Sequence, residues 1–476
     1  LTLFLISVQF TLIKKGAIKM PASQFSESLI TDLYQLTMAA GYFTHQCHQQ
    51  ASFELFVRRL PKNRNYLVAA GLAESIDYIT NLNFNESDIA YLENLSVFRH
   101  VKREFFDYLR SFRFTGDVWA VPEGTLIFGN EPILRVTAPL IEAQILETFL
   151  LSTINFQTLI ATKAARITRA AQSDGKKRAV LEFGTRRAHG PVAGTYAARS
   201  AYLGGFTGTS NLAAGQAFGI PVYGTAAHAW TLAFDDELSA FQKFYEVFPE
   251  TSTLLIDTYD TLKGAENATK IGATLKGVRI DSGDLIAQSY KVREILDKAG
   301  LNQTKIVVSG DLNEFSITEI LKSGAPVDTF GVGTELATSR DLPALGGVYK
   351  LVERVKADGT VQFTAKFSAE KTTYPGIKQI FRHHDSNGQY ISDTIALTNE
   401  EAPANSRPLL VQVIKNGEIT PSGKVTLEDS RTYLAQELSN LPEKYHNITE
   451  QVVYPVSVSE GLKHLSEEVK KNLSKS

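Results

Sequence analysis

The sequence predicts an α/β protein: an irregular α/β barrel behind an N-terminal α+β domain, the latter completed by C-terminal strands. Three observations carry this. From about residue 178, short apolar runs recur every 20–30 residues or so. Each is closed by a Gly-, Asp- or Thr-rich turn and then a helical stretch, the cadence of βα units. The first 145 residues instead mix helical and alternating patterns. From Gly347 the texture turns strand-like again, with no low-complexity linker before it.

Residues 1–13 (LTLFLISVQFTLI) are largely apolar and precede Lys14 and Lys15. A secretory signal carries its positive charge first. Residues 1–19 are therefore read as a non-native or disordered leader, with an extra docked strand as the alternative. Ser26 or Ser28 caps a helix predicted over 29–40, and Leu29, Leu33 and Leu36 share its core face. ASFELFVR (51–58) alternates as a half-buried strand does. Helices are expected over 71–81 and 101–112, then strand, PEGT turn and strand over 118–128. Residues 140–172 read as mostly helical.

The recurring runs are AVLEFGT (179–185), AYLGGFTGTS (201–210), PVYGTAAH (221–228), LLIDTYDT (254–261), GVRIDSGD (277–284), KIVVSGD (305–311) and DTFGVGT (328–334). A barrel and a doubly wound sheet both suit them; seven or eight units in about 170 residues favour a compact, irregular barrel. Beyond it, GVYKLVER and TVQFTAKFS make a hairpin about Asp358 and Gly359. A second hairpin turns at 386–388, and the tail from 457 is an amphipathic helix. The expected division is 20–145, 146–345 and 346–476.

At 476 residues the chain is too long for one ordinary domain. Cys47 is the only cysteine, which rules out a disulfide scaffold and a cysteine zinc site and fits a reducing cytoplasm. Basic and acidic residues number 49 and 51, so no global field favours nucleic acid. No apolar run is long enough to cross a bilayer.

Functional side chains of parallel α/β folds gather beyond the strand C-termini. Here those positions hold Gly184, Thr185, Arg186 and Arg187; Gly224, Thr225 and His228; Arg279, Asp281 and Asp284; Asp311; and Gly331, Gly333 and Thr334. Such a set fits a polyanionic, phosphate-bearing substrate with a divalent cation. Gly–Thr loops offer N–H groups to phosphate, and arginines bind carboxylate or phosphate in pairs of bonds. His228, before a helix starting near Trp230, is placed to take a phosphoryl group on a ring nitrogen. A hydrogen-bonded loop histidine is the plainer alternative. Arg279 reads equally as an anion clamp or as one half of a salt bridge to Asp281 or Asp284. Asp284 and Asp311 read as helix caps. Tyr34 reads as a packing residue, and the basic run Arg58, Arg59, Lys62 and Arg64 as a solvated loop or a phosphate contact.

Nine blocks resemble the nicotinate phosphoribosyltransferase family: TDLYQLTMAAGY (31–42), FELFVRRLP (53–61), EFGTRRAHG (182–190), GGFTGTSN (204–211), GTAAHAW (224–230), LIDTYDT (255–261), VRIDSGDL (278–285), FGVGTELATS (330–339) and ALGGVYKLVE (344–353). The resemblance runs in order from about residue 28 to 380 and weakens after about 400. It implies the type II phosphoribosyltransferase architecture and a homodimer with active sites near the interface. It also implies that nicotinate and 5-phosphoribosyl 1-diphosphate give nicotinate mononucleotide and diphosphate, the entry of nicotinate into NAD salvage. Mg²⁺ is the implied cofactor and ATP the co-substrate, hydrolysed through a phosphohistidine. Carried over by motif, His228 is the phosphorylated residue, and Tyr34, Thr225 and Arg279 meet nicotinate. Gly333 and Thr334, with Arg186 and Arg187, hold the phosphoribosyl substrate. Asp281 partners Mg²⁺ on the diphosphate or Arg279. No motif position departs from the pattern.

Three rivals follow. A nicotinamide or quinolinate enzyme on this architecture would need a different base pocket. A non-catalytic phosphosugar-binding barrel would not need His228. An aldolase-like barrel needs a Schiff-base lysine at a strand end, and neither Lys163 nor Lys350 is so placed.

Overall fold

A computed structural model describes residues 25–367 and 373–473; the leader read over 1–19 lies outside them. The N-terminal part is built on a seven-stranded antiparallel sheet. Its order is Val361–Phe363, Gly347–Val355, Gln50–Val57, Pro132–Pro139, Asp117–Ala120, Val411–Lys415 and Glu418–Ile419. Four of these strands come from beyond residue 346, so C-terminal strands do complete the first sheet. A smaller sheet holds Lys378–His384 and Tyr390–Leu397, flanked by Ser406–Pro408 and Val456–Val458.

Two expectations change here. The strand Gln50–Val57 is buried along both faces rather than half-buried: Ala51, Phe53, Leu55 and Val57 enter the first core, and the polar residues of the other face have partners. Ser52 bonds Thr137 at 2.9 Å, and Glu54 pairs with Lys378 of the smaller sheet at 2.8 Å. The first α-helix is Leu33–Thr44, preceded by a 3₁₀ turn at Glu27–Leu29. The Ser26 and Ser28 hydroxyls do not cap it; they donate to Asp88. With this later start Leu36 is buried, but Leu33 is 52% exposed.

The second part holds a six-stranded parallel sheet. Its order is Gly208–Thr209, Ala179–Glu182, Thr329–Val332, Lys305–Val308, Gly277–Ile280 and Thr253–Leu255. A single bridge from Thr209 to Val222 extends it. Among the described residues its hydrogen bonding does not close into a barrel. The apolar start of the 201–210 run belongs to the helix Pro191–Leu203, which leaves only Gly208–Thr209 extended.

The 25-residue helix Glu147–Ala171 joins the two parts. Leu150, Ile154 and Leu159 enter the first core; Ile160, Ala164 and Ile167 enter the second. Buried charges brace the same joint. Lys163 meets Glu314 at 2.8 Å and Asp341 at 2.9 Å, and Arg64 meets Asp341 at 2.9 Å. Arg64 is therefore not part of a solvated loop: it is 1% exposed and held by this network. No described helix is long and apolar enough to cross a membrane.

Candidate active site

The C-terminal ends of the parallel strands open onto two adjoining cavities of about 430 and 390 Å³. Phe183, Arg186, Arg279 and Asp281 line both. Arg279 leaves the strand Gly277–Ile280 and is fixed on three sides. Its Nε donates to Ser309 Oγ at 2.7 Å, Nη1 to Thr225 Oγ1 at 2.8 Å and Nη2 to Asp281 Oδ1 at 2.6 Å. Its guanidinium lies 5.5 Å from the Phe183 ring centre. A cation in a strand is costly unless paired. Here the salt bridge and the cavity wall are one arrangement, and Asp281 rather than Asp284 is the partner. Burial pushes the Asp281 carboxyl up, but the Ser309 hydroxyl and Arg279 outweigh it and hold it below the usual carboxylate range.

His228 itself opens the short helix His228–Leu232, two residues earlier than expected. Its Nδ1 is 3.2 Å from Thr258 Oγ1 and its Nε2 is 3.9 Å from Asp257 Oδ1. The ring remains 40% exposed. Asp257 is buried. Its Oδ2 accepts from the Asp281 N–H at 2.9 Å and the Ser282 hydroxyl at 2.7 Å, while its Oδ1 has no hydrogen-bond partner among the described residues. Asp257 thus ties the histidine loop to the Arg279–Asp281 loop. Sequence reasoning missed it, along with Phe183 and Ser309. The available signal for Asp257 was its position just past an apolar run, the position that singled out Asp281.

Gly331, Gly333 and Thr334 line the larger cavity, where Thr334 opens the turn Thr334–Ala337. A Cβ on Gly331 would lie 2.6 Å from the Phe183 ring, so the ring's seat needs glycine. Asp284 caps the helix Leu285–Lys298 by accepting from Ala287 N–H at 3.0 Å. Asp311 is not a cap: Asn313 caps Glu314–Lys322, and Asp311 lines the cavity. Arg186 and Arg187 occupy the 3₁₀ turn Thr185–Arg187 at the cavity wall, with no ion pair to any described residue. Tyr34 lines neither cavity. It sits on the exposed face of Leu33–Thr44, 47% exposed, beside the exposed Leu33 and Met38.

Family models match along the chain in order. The nicotinate phosphoribosyltransferase N-terminal domain covers 29–155, the family's central model 179–360 and its C-terminal domain 402–466. The chain belongs to the nicotinate phosphoribosyltransferase family. It is 42% identical to a nicotinate phosphoribosyltransferase of Mycobacterium tuberculosis over 450 residues, covering 93% of this chain and 94% of that one. It is also 42% identical to the Bacillus subtilis nicotinate phosphoribosyltransferase over 470 residues, with 91% and 93% covered. The human nicotinic acid phosphoribosyltransferase structure superposes with a TM-score of 0.80 at 30% identity, covering 92% and 100%. A nicotinate-nucleotide pyrophosphorylase from Pyrococcus furiosus gives 0.70 at 26%, covering 88% and 97%. The likeness to nicotinate phosphoribosyltransferases therefore extends past residue 400, where the motifs fade.

Proposed function

We propose that this chain joins nicotinate to 5-phosphoribosyl 1-diphosphate, releasing nicotinate mononucleotide and diphosphate, with ATP hydrolysis coupled through a phosphohistidine at His228. The observation that carries the site-level reading is the Arg279 cluster beside His228, facing a polar cavity walled by Arg186 and Arg187. Arg279, oriented by Thr225, Ser309 and Asp281, presents a cation to the nicotinate carboxylate. Phe183 offers a flat face to the pyridine ring. The cation favours an acid over neutral nicotinamide, and a second carboxylate, as in quinolinate, would call for more positive charge in the base pocket.

The pyridine nitrogen attacks the anomeric carbon as diphosphate departs. That nitrogen carries no proton, so positioning and electrostatics do most of the work. Negative charge grows on the leaving group, where Arg186, Arg187 and the N–H groups around Gly333 and Thr334 meet it. Both side-chain hydrogen bonds of Asp281 fall on Oδ1, so its Oδ2 has no hydrogen-bond partner among the described residues, and Asp311 lines the same cavity. These oxygens suit a Mg²⁺ held largely by diphosphate and water. When bound, Mg²⁺ supplies charge neutralisation on the diphosphate. In the coupled step the γ-phosphoryl of ATP passes to a His228 ring nitrogen, ADP leaves, and water later releases phosphate. We place this first step of nicotinate salvage toward NAD in the cytoplasm, in a homodimer whose partner brings Tyr34 to the ring.

Turnover of nicotinate, nicotinamide and quinolinate with 5-phosphoribosyl 1-diphosphate and Mg²⁺, with and without ATP, tests the reading. Nicotinate alone is expected to give mononucleotide, faster with ATP and with ADP released. His228→Ala is expected to keep the slow ATP-independent rate and lose the ATP benefit. Undiminished ATP stimulation in that variant would refute the phosphohistidine.

A further inference from the structure

We propose that Glu182 is a positioning residue for substrate binding: its carboxylate sets the turn that carries Arg186 and Arg187. The proposal rests on the reading that these arginines hold the phosphoribosyl substrate.

Glu182 ends the strand Ala179–Glu182 with 0% exposure, and it lines neither cavity. No cation pairs with it among the described residues. A lone buried carboxylate is expensive, and an apolar residue would suit its neighbourhood better for stability alone. Val180, two residues earlier on the same face, is ordinary core. Burial pushes the Glu182 carboxyl up, and its two donors offset only part of this.

Those donors explain its presence. One oxygen accepts the Gly184 N–H, and the other accepts the Thr209 hydroxyl at 2.5 Å. Thr209 Oγ1 in turn accepts the Asn211 N–H at 2.9 Å. The Asn211 amide donates to Thr185 Oγ1 at 2.9 Å, and its oxygen caps Leu212–Phe218 through Ala214 N–H. The carboxylate therefore grips the arginine turn from both sides: directly at Gly184, and at Thr185 through Thr209 and Asn211. The turn is also seated tightly. A Cβ on Gly184 would lie 2.5 Å from Ala337 Cβ and 2.8 Å from Gly333 O, so the turn packs directly on the Gly333–Thr334 loop. A small tilt of the turn would move both guanidinium groups relative to that loop.

Steady-state kinetics of the full-length enzyme test this with Glu182→Gln, Thr209→Val, Thr209→Ser and Arg186→Ala. Glu182→Gln and Thr209→Val are expected to raise KM for 5-phosphoribosyl 1-diphosphate about tenfold, the scale of one hydrogen bond to a charged group. KM for nicotinate is expected to move far less. Thr209→Ser keeps the hydroxyl and should restore wild-type behaviour. Arg186→Ala should raise the same KM, and adding Glu182→Gln to it should cost less than the product of the single effects. If Glu182→Gln folds poorly, the shape-conserving Thr209→Val carries the test. Folded Glu182→Gln and Thr209→Val with a wild-type KM, beside a raised KM in Arg186→Ala, would overturn the positioning role alone. An unchanged KM in Arg186→Ala as well would overturn the arginine reading beneath it. A loss of active enzyme with both KM values unmoved would mark Glu182 as merely structural and also overturn the proposal.

Discussion

At Arg279 three sides of the guanidinium are held by Ser309, Thr225 and Asp281, yet the group still lines both cavities. Asp281 makes this possible, and its charge has a pH signature. Its folded pKa lies below the unfolded value of about 3.9. Its contribution to stability is therefore fully present above pH ~4 and is lost as pH falls through the depressed folded value. The stability gap between wild type and Asp281→Asn in urea unfolding should be constant from neutral pH down to about 5 and close in stronger acid. A gap that persists unchanged at pH ~3 would contradict the ion pair. The residues legible in the sequence were the ones that break a local rule: a charge inside an apolar run, as Arg279, or a histidine beside Gly–Thr, as His228. Phe183 and Ser309 break none, since a ring in an apolar run looks like core and a serine before Gly–Asp looks like a cap. Asp257 sits just past an apolar run, as Asp281 does, but what sets it apart is its contacts with other loops, at the Asp281 N–H, the Ser282 hydroxyl and His228, which spacing along the chain does not encode.

Elements were legible where periodicity was undisturbed. The helix Leu72–Asn81, the hairpin at Gly359 and five of the six parallel strands lie where their patterns put them. Boundaries shifted where one apolar run served two elements, as in 201–210, where the helix Pro191–Leu203 takes the first residues. The strand Thr329–Val332 shows how closely element and site are coupled. Gly331 lies against the ring of Phe183, which directly follows the strand Ala179–Glu182, and that strand pairs in parallel with Gly331's own. Gly331→Ala places a methyl where the ring now sits. It should cost about 1–3 kcal/mol in stability, as small overpacking does. The larger effect should be on nicotinate: its KM should rise while KM for 5-phosphoribosyl 1-diphosphate holds. Equal rises in both would show that the strand, not the ring, had moved.

At the scale of the whole molecule, Tyr34 poses the geometric question. Its helix carries an exposed apolar row, Leu33, Tyr34 and Met38, none of which lines the two cavities. Val192, Leu212, Val222 and Tyr223, on segments flanking the parallel sheet's edge, are also exposed. If the chain pairs as the two-fold dimer proposed above, the row of one chain would lie against the cavities of the other. Subunit mixing decides it. Tyr34→Ala and His228→Ala, each alone, should lack ATP-stimulated turnover. If Tyr34 serves the partner's site, a mixed dimer rebuilds one complete site, because the His228→Ala chain lends its tyrosine to the intact histidine of the other. Random exchange of equal amounts makes half the dimers mixed, each with one site in two, so about a quarter of the wild-type ATP-stimulated rate should return. If Tyr34 serves its own chain's site, every site in the mixture lacks one of the two residues, and no rate returns.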